Sequence, residues 1–219
     1  NKVFKPLPST HQRYADVFER LGYPIDLATH VFPKKKSWNT SLQAVLGNPT
    51  RKIIGVAPYA AFESKVYPAP YIEQVLSSLN QLGNYQIVLF GGGASEEKKL
   101  KAWADRFENV VSVAGKFTFR DELALLSNLD VMLAMDSGNG HLAAMMGAPV
   151  ITLWGVTHPY AGFVPFAQPP SHQLLANREK FPLVPTSIYG NNYPEGYENA
   201  IASITPTQVV EKVQSILES

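Results

Sequence analysis

The stretch from Asp130 to Gly155, DVMLAMDSGNGHLAAMMGAPVITLWG, constrains this chain more than any other. Val131 to Met135 is an apolar run of the length of one buried strand. Asp136-Ser137-Gly138-Asn139-Gly140 breaks the run with small and polar residues. His141 to Met146 reads as a short helix ended by Gly147 and Pro149, and Val150 to Trp154 as a second strand ending at Gly155. Strand, glycine-rich turn, helix and strand make one crossover unit of a parallel sheet.

Ligands of open parallel sheets bind at the carboxyl ends of the strands. Here those ends carry Asp136 to His141 and Gly155 to Pro159. A helix that begins at a glycine turn offers unpaired backbone N–H groups and a positive dipole end, which suit a phosphate. Ser137 adds a hydroxyl donor, and His141 lies about one turn into the helix. The same residues admit a plainer reading. Asp136 and Ser137 are ordinary helix caps, and His141 on a short apolar helix could be a satisfied core histidine.

The remaining chain repeats the theme from Lys52 onward. Ile53 to Ala57 predicts a first strand. Pro70 opens a helix with Ile72, Val75, Leu76, Leu79 and Leu82 inward, stopped by Gly83. Gln86 to Phe90 is a second strand ending in Gly91-Gly92-Gly93. Ser95 is expected to cap the next helix, with Leu100, Trp103, Ala104 and Phe107 as its buried stripe. Val110 to Val113 follows as a strand, and Thr118 with Asp121 as a capping box for a helix through Leu126. His172 to Ala176 reads as a sixth strand, Phe181 to Gly196 as a long loop, and Thr205 to Leu217 as a final amphipathic helix. Strands alternating with helices over 51–219 predict an α/β fold, a Rossmann-like doubly wound parallel sheet.

Residues 1–50 differ. A helix capped by Thr10 sets Tyr14, Val17, Phe18 and Leu21 on one face, with Gly22 at its end, and Trp38 to Leu46 reads as another short helix. Between them, Lys34-Lys35-Lys36 reads as a solvated loop, or as a contact for an anionic membrane surface. The segment reads as a connector. A chain of 219 residues, 45% hydrophobic and 17% charged, has enough apolar mass for a real core. A formal net charge of +1 gives no reason to expect nucleic acid as a partner. No cysteine is present, which rules out disulfides and thiolate metal sites. No apolar run approaches the ~20 residues of a membrane helix, no signal peptide is visible, and the chain begins with Asn1. It reads as a processed or excised piece of something longer, with the cytoplasm as its expected compartment.

Two other strand ends gather polar groups at the same edge. After the first strand come Tyr59 to Lys65, where Lys65 is either a point charge for a phosphate or a surface lysine. After the second, Gly91 to Gly93 let a backbone approach a ligand closely, and Glu96 either accepts from ribose hydroxyls or stabilises the helix start. There is no GxGxxG, P-loop, HExxH or GxSxG, and the histidines are too scattered to suggest metal ligands.

Taken in order, Asp136-Ser137-Gly138-Asn139-Gly140-His141-Leu142-Ala143-Ala144, Gly147-Ala148-Pro149 and Gly155-Val156-Thr157-His158-Pro159 resemble the signature of glycosyltransferase family 9, the ADP-heptose:lipopolysaccharide heptosyltransferases and their relatives. Ser64-Lys65-Val66-Tyr67-Pro68 resembles the family's Lys-x-(Trp/Tyr)-Pro, and Ile204 to Val210 its final helix. The resemblance spans about Lys52 to Ser219. It implies the GT-B architecture, two Rossmann-like halves facing across a cleft. The carboxyl-terminal half binds a nucleotide-sugar donor, and the amino-terminal half binds a glycolipid or glycan acceptor and supplies a carboxylate base. Transfer inverts the anomeric centre without a bound metal or cofactor. Carried over by position, Lys65, Ser137, Gly138 and His141 hold the diphosphate, Asp136 contacts the donor sugar, and Gly140 counts among the substrate-binding residues. Gly155 and Thr157 line the pocket, Phe117 lies against the base, and Glu96 lies near the ribose. A protonated His141 and Lys65 would stabilise the leaving group. The chain departs from the family at Ala60 and Ala61, where members often carry Ser or Thr.

On this resemblance the chain is the donor-binding half of an inverting glycosyltransferase that transfers a heptose-type sugar from an ADP-sugar to a lipopolysaccharide core or related glycan. Residues 1–50 then end the acceptor half and form the linker, the catalytic base lies outside the sequence, and peripheral contact with the inner membrane is an expectation. Two other readings stand beside it: a non-catalytic nucleotide-sugar binding module, and a sugar-nucleotide epimerase of similar fold.

Overall fold

The structure is a computed structural model and describes residues 3–218. Asn1, Lys2 and Ser219, at the ends of the two segments expected above, lie outside the described residues. The elements in chain order are α1 (Thr10–Arg20), α2 (Thr40–Leu46), β1 (Lys52–Ala57), α3 (Ala69–Gln81), β2 (Tyr85–Leu89), α4 (Ala94–Ala104), β3 (Val110–Ser112), α5 (Phe119–Leu126), β4 (Val131–Met135), α6 (Gly138–Met145), β5 (Val150–Trp154), β6 (Gln173–Leu175) and α7 (Pro206–Leu217). Short 3₁₀ turns fill several connections, among them Glu63–Lys65 and Ala200–Ser203.

The six strands form one sheet in the order β3-β2-β1-β4-β5-β6, and every pairing is parallel. Successive residues of a strand point to opposite faces, and both faces are apolar. Ile54, Val56, Val131, Leu133, Ile151 and Leu153 pack beneath α3, α4 and α7. Ile53, Ala57, Met132, Ala134 and Val150 pack beneath α2, α5 and α6. Helices on both faces of a parallel sheet make the doubly wound arrangement predicted from the alternation. Ile54 sits between Ile87 and Val131 in the register and is fully buried. Cutting it to alanine there would cost about 2–5 kcal/mol, because the close-packed neighbours cannot collapse into the void.

The helix starts differ from the sequence reading in three places, each for a local reason. Ser9, not Thr10, caps α1: its Oγ accepts from the Gln12 N–H at 3.0 Å. Thr10 instead donates from Oγ1 to the Gly162 carbonyl at 3.0 Å, which ties the helix to the chain beyond β5. Gly93, not Ser95, is the cap residue of α4. Its φ of +80° turns the chain into the helix without a side-chain cap. The α6 helix begins at Gly138, three residues before His141, so most of the glycine turn is already helical. Leu82, expected inward, follows the last residue of α3 and is 40% exposed.

The segment before the sheet is not detached from it. Leu42 of α2 is fully buried in the second face, and the Asn39 side-chain amide donates to Asp121 Oδ1 at 2.7 Å. The apolar face of α1 is a different matter: Tyr14, Val17, Phe18 and Leu21 are all exposed.

Candidate functional site

The strand order reverses between β1 and β4, whose connections leave the sheet in opposite directions and open a crevice at their carboxyl ends. β1 runs out into Pro58 to Lys65, and β4 into Asp136 and α6. The switch point therefore joins the two stretches that carry Lys65 and the Asp136–His141 turn.

Lys65 closes a short 3₁₀ turn, and its Nζ lies 3.3 Å from Asp136 Oδ2. Both side chains are about nine-tenths buried, at 11% and 10% exposure. The Ser64 hydroxyl donates to the Gly190 carbonyl. Gly190, at φ +82°, passes so close that a Cβ there would stand 2.8 Å from Lys65 Cγ. A loop from far along the chain thus packs directly against the Lys65 stem.

Ser137 is the cap residue of α6, yet its hydroxyl makes no cap bond. Its Oγ is buried without a hydrogen-bond partner, and so is Thr157 Oγ1 beyond the end of β5. Buried hydroxyls are ordinarily satisfied, and leaving one unpaired costs about 1–3 kcal/mol. At a helix start such a group is a donor held ready for an anion.

The His141 imidazole takes no hydrogen bond among the described residues. Burial pushes its pKa below the ordinary value; the Asp136 carboxylate opposes that shift, and His11 and Lys65 reinforce it. Desolvation outweighs the nearby carboxylate, so burial disfavours the protonated ring that the leaving-group role of His141 calls for. It can still offer one N–H. His11 enters from α1, with its ring 5.1 Å from that of Phe166. The sequence gives no cue for it, because α1 lies outside the strand–helix alternation.

A cleft of about 340 Å³ opens beside these groups. Ser137, Gly138 and Asn139 form one wall, Gly91, Gly92 and Glu96 another, and Ala60 and Ala61 lie between. Glu96 Oε2 accepts from the Gly92 N–H at 2.9 Å, so its carboxylate braces the glycine loop from within the cleft. Both roles read for Glu96, at the helix start and beside a ligand, remain compatible with that position. Ala60 and Ala61 offer no hydroxyl to the cleft. Tyr59 also lines it, and its own hydroxyl is buried and unpartnered. Tyr59 stands two residues beyond β1, in the strand end that gathers polar groups, with no motif to mark its own role.

Of the expected residues, Glu96, Ser137 and Gly138 line this cleft, and Lys65, Asp136, Gly140, His141, Gly155 and Thr157 do not. Phe117 is half-buried against the core of the second sheet face and does not line the cleft. A Cβ on Gly140 would stand 3.2 Å from that of Ala134, so this glycine sets α6 closely on β4. Gly155 is packed rather than open: a Cβ there would stand 2.7 Å from the Ser64 carbonyl and 2.9 Å from Ile201 Cβ. Among the described residues, no three His, Asp or Glu side chains group as metal ligands, and no helix is long and apolar enough to cross a membrane.

The family model for glycosyltransferase family 9 (heptosyltransferase) matches residues 3–184. The chain belongs to glycosyltransferase family 9. Among family 9 relatives, the lipooligosaccharide heptosyltransferase 2 of Haemophilus influenzae is 29% identical over 180 residues, covering 80% of this chain and 49% of that protein. The chain spans about half the length of the curated relatives it matches. In fold, it is similar to the family 9 glycosyltransferase of Veillonella parvula, with a TM-score of 0.73 and 19% identity over the whole of this chain and 63% of that one. It is also similar to the ADP-heptose lipopolysaccharide heptosyltransferase II of Escherichia coli, with a TM-score of 0.66 and 20% identity over 96% of this chain and 62% of that one. Family 9 membership bears out the resemblance read from the signature residues, and the neighbours share the doubly wound sheet.

Proposed function

We propose that this chain is the donor-binding half of an inverting glycosyltransferase that moves a heptose-type sugar from an ADP-sugar to a lipopolysaccharide core or a related glycan. The observation that carries the reading is the unpartnered Ser137 hydroxyl at the start of α6, set beside a buried lysine at the sheet's switch point. An α- and β-phosphate pair fits there. The N–H groups that open α6, Ser137 Oγ, Lys65 and the His141 N–H all stabilise negative charge. Asp136 accepts from sugar hydroxyls, Glu96 from the ribose, Thr157 shapes the wall, and Gly140 and Gly155 allow the close packing that sets these elements.

The reaction follows from that charge distribution. The acceptor hydroxyl attacks the anomeric carbon from the face opposite the diphosphate and gives its proton to a carboxylate base. The bond from the anomeric carbon to the phosphate oxygen breaks, and the charge that gathers on the leaving diphosphate meets the cationic and N–H groups listed above. These groups do the work that a divalent cation does in other transferases, so the reading includes neither metal nor cofactor. We assign the base and the acceptor contacts to an amino-terminal half joined through residues 1–50. We place the whole protein in the cytoplasm, with peripheral contact at the inner membrane.

Calorimetric titration with ADP, UDP, GDP and CDP tests the reading. ADP is expected to bind most tightly, and Ser137→Ala and His141→Ala to weaken it. Preference for another nucleotide would reject the ADP-sugar, and no binding to any of the four would remove the donor site. Ala60 and Ala61 favour a second reading, a nucleotide-sugar binding module without catalysis. Sugar transfer by the protein carrying both halves would exclude it.

A further inference from the structure

Tyr59 also lines a second and larger cavity, of about 750 Å³, bounded by α3, α4 and the chain around Tyr193 and Asn199. That volume is within the range of small-molecule sites. Its wall carries aromatic rings: Tyr59 is half-buried, Tyr193 is exposed, and Trp103 behind them is 6% exposed. The Tyr59 and Trp103 rings stack nearly parallel, with 6.2 Å between centroids and 10° between planes. Trp103 is held by its indole N–H, which donates to Glu73 Oε1 at 3.0 Å, and Glu73 is held in turn by Arg106 Nη1 at 2.8 Å. The Trp103 hydrogen bond, followed by that from Arg106, keeps the Glu73 carboxyl below its ordinary pKa. Lys99 Nζ stands 5.9 Å from the centre of the Tyr59 ring.

The polar groups at the rim are of mixed sign. Glu63, Glu198 and Asn199 are exposed around the opening. Among the described residues, neither Glu63 nor Glu198 takes part in an ion pair. Three carboxylates face two cations across the whole lining. A phosphorylated ligand finds no excess of positive charge here. Acceptors and donors lie side by side around flat apolar rings. That combination suits a sugar, whose C–H faces stack on aromatic rings and whose hydroxyls both donate and accept.

We propose that this cavity is a saccharide site. It takes a short neutral oligosaccharide against the Tyr59–Trp103 wall, with Glu63, Glu198 and Asn199 as hydroxyl partners. The site shares Tyr59 with the donor cleft, has otherwise its own lining, and stands whichever nucleotide that cleft accepts.

The test is a proton–nitrogen NMR titration of the chain with maltotriose, cellotriose and a dephosphorylated heptose-containing core oligosaccharide, with spermidine as a cationic control. The Trp103 indole N–H is the reporter, and Trp38 and Trp154 are internal references. At least one saccharide is expected to shift the Trp103 signal saturably while the other two indoles stay still. Glu198→Ala is expected to weaken that binding about fivefold, the loss of one hydrogen bond. Tyr193→Ala should weaken it too, and both substitutions lie at exposed positions outside the donor cleft, so ADP binding should not change. No movement of Trp103 with any of the saccharides overturns the proposal. So does a response to spermidine alone, or a saccharide response that both variants leave intact.

Discussion

Lys65 and Asp136 stand 71 positions apart in the chain and meet at 3.3 Å across the switch point of the sheet. One comes from the turn after β1, the other from the last step of β4, and the pairing of those two strands brings them together. Burial makes the pair consequential. An exposed ion pair contributes little, whereas removing one partner of a buried pair strands a charge in a medium that cannot solvate it.

Lys65→Met is therefore expected to destabilise the chain by about 3 kcal/mol, because Asp136 is left buried and unpaired. The double variant Lys65→Met/Asp136→Asn should recover much of that loss, since no bare charge remains. Denaturant unfolding of the two variants and the parent measures both effects. An unchanged midpoint for Lys65→Met would mean that water solvates Asp136 after all.

His141 gives a pH dependence with a definite sign. Its folded pKa is depressed by burial below the ordinary value of about 6.5. As pH falls through that value, the unfolded chain takes up a proton that the folded chain does not, so stability falls and then levels off below the folded pKa. His11 and His172 are shifted the same way by burial and add to the trend. His141→Gln should flatten the dependence of the melting temperature over roughly pH 5–7, the range in which imidazoles titrate. NMR titration of the His141 ring checks the direction. Addition of ADP should raise its pKa, because a bound diphosphate favours the charged ring.

Gly155 and Gly140 separate two kinds of tight contact. A methyl group at Gly155 meets a backbone carbonyl, Ser64 O, which cannot turn aside, and Gly155→Ala is expected to cost about 1–3 kcal/mol. Because Ser64 adjoins Lys65, nucleotide affinity should fall with it. At Gly140 the nearest atom is the Ala134 methyl at 3.2 Å, and alanine also favours helix. Gly140→Ala should therefore be the milder change. Thermal unfolding ranks the two.

The outer face of α1 supplies a prediction of no effect. Val17 and Phe18 are 51% and 47% exposed. Val17→Ser and Phe18→Gln should leave the unfolding midpoint within about 0.5 kcal/mol of the parent, as surface substitutions do. A large loss would show that this face is covered.

Much of this architecture was legible because parallel strands are short apolar runs punctuated by helix caps. The runs at Val131 to Met135 and Val150 to Trp154 match their strands residue for residue. The final helix forms where it was read, opened by a Thr205–Gln208 capping box. Helix starts were less legible where backbone, not side chain, does the capping: Gly93 turns the chain by its positive φ, and a hydroxyl nearby at Ser95 is a false cue. The coupling of His11 to His141, the close approach of Gly190 to Lys65 and the Tyr59–Trp103 stack all join distant segments. No local pattern encodes such contacts. Exposure of the α1 stripe was equally hidden, since periodicity reports a face but not what lies against it.

The place of β4 between β1 and β5 also fixes when the site can exist during synthesis. β1 pairs with β2 as soon as the next strand is made, but its other edge waits until the chain has passed Met135. Until then the edge of β1 is open, Lys65 has no counter-ion, and no crevice is present. Closing that non-local pair carries the entropy of a long intervening loop and is among the slower steps. A ribosome-bound chain that stops short of β4 therefore presents a half-sheet with a bare edge, the kind of intermediate that chaperones shield and that aggregates without them.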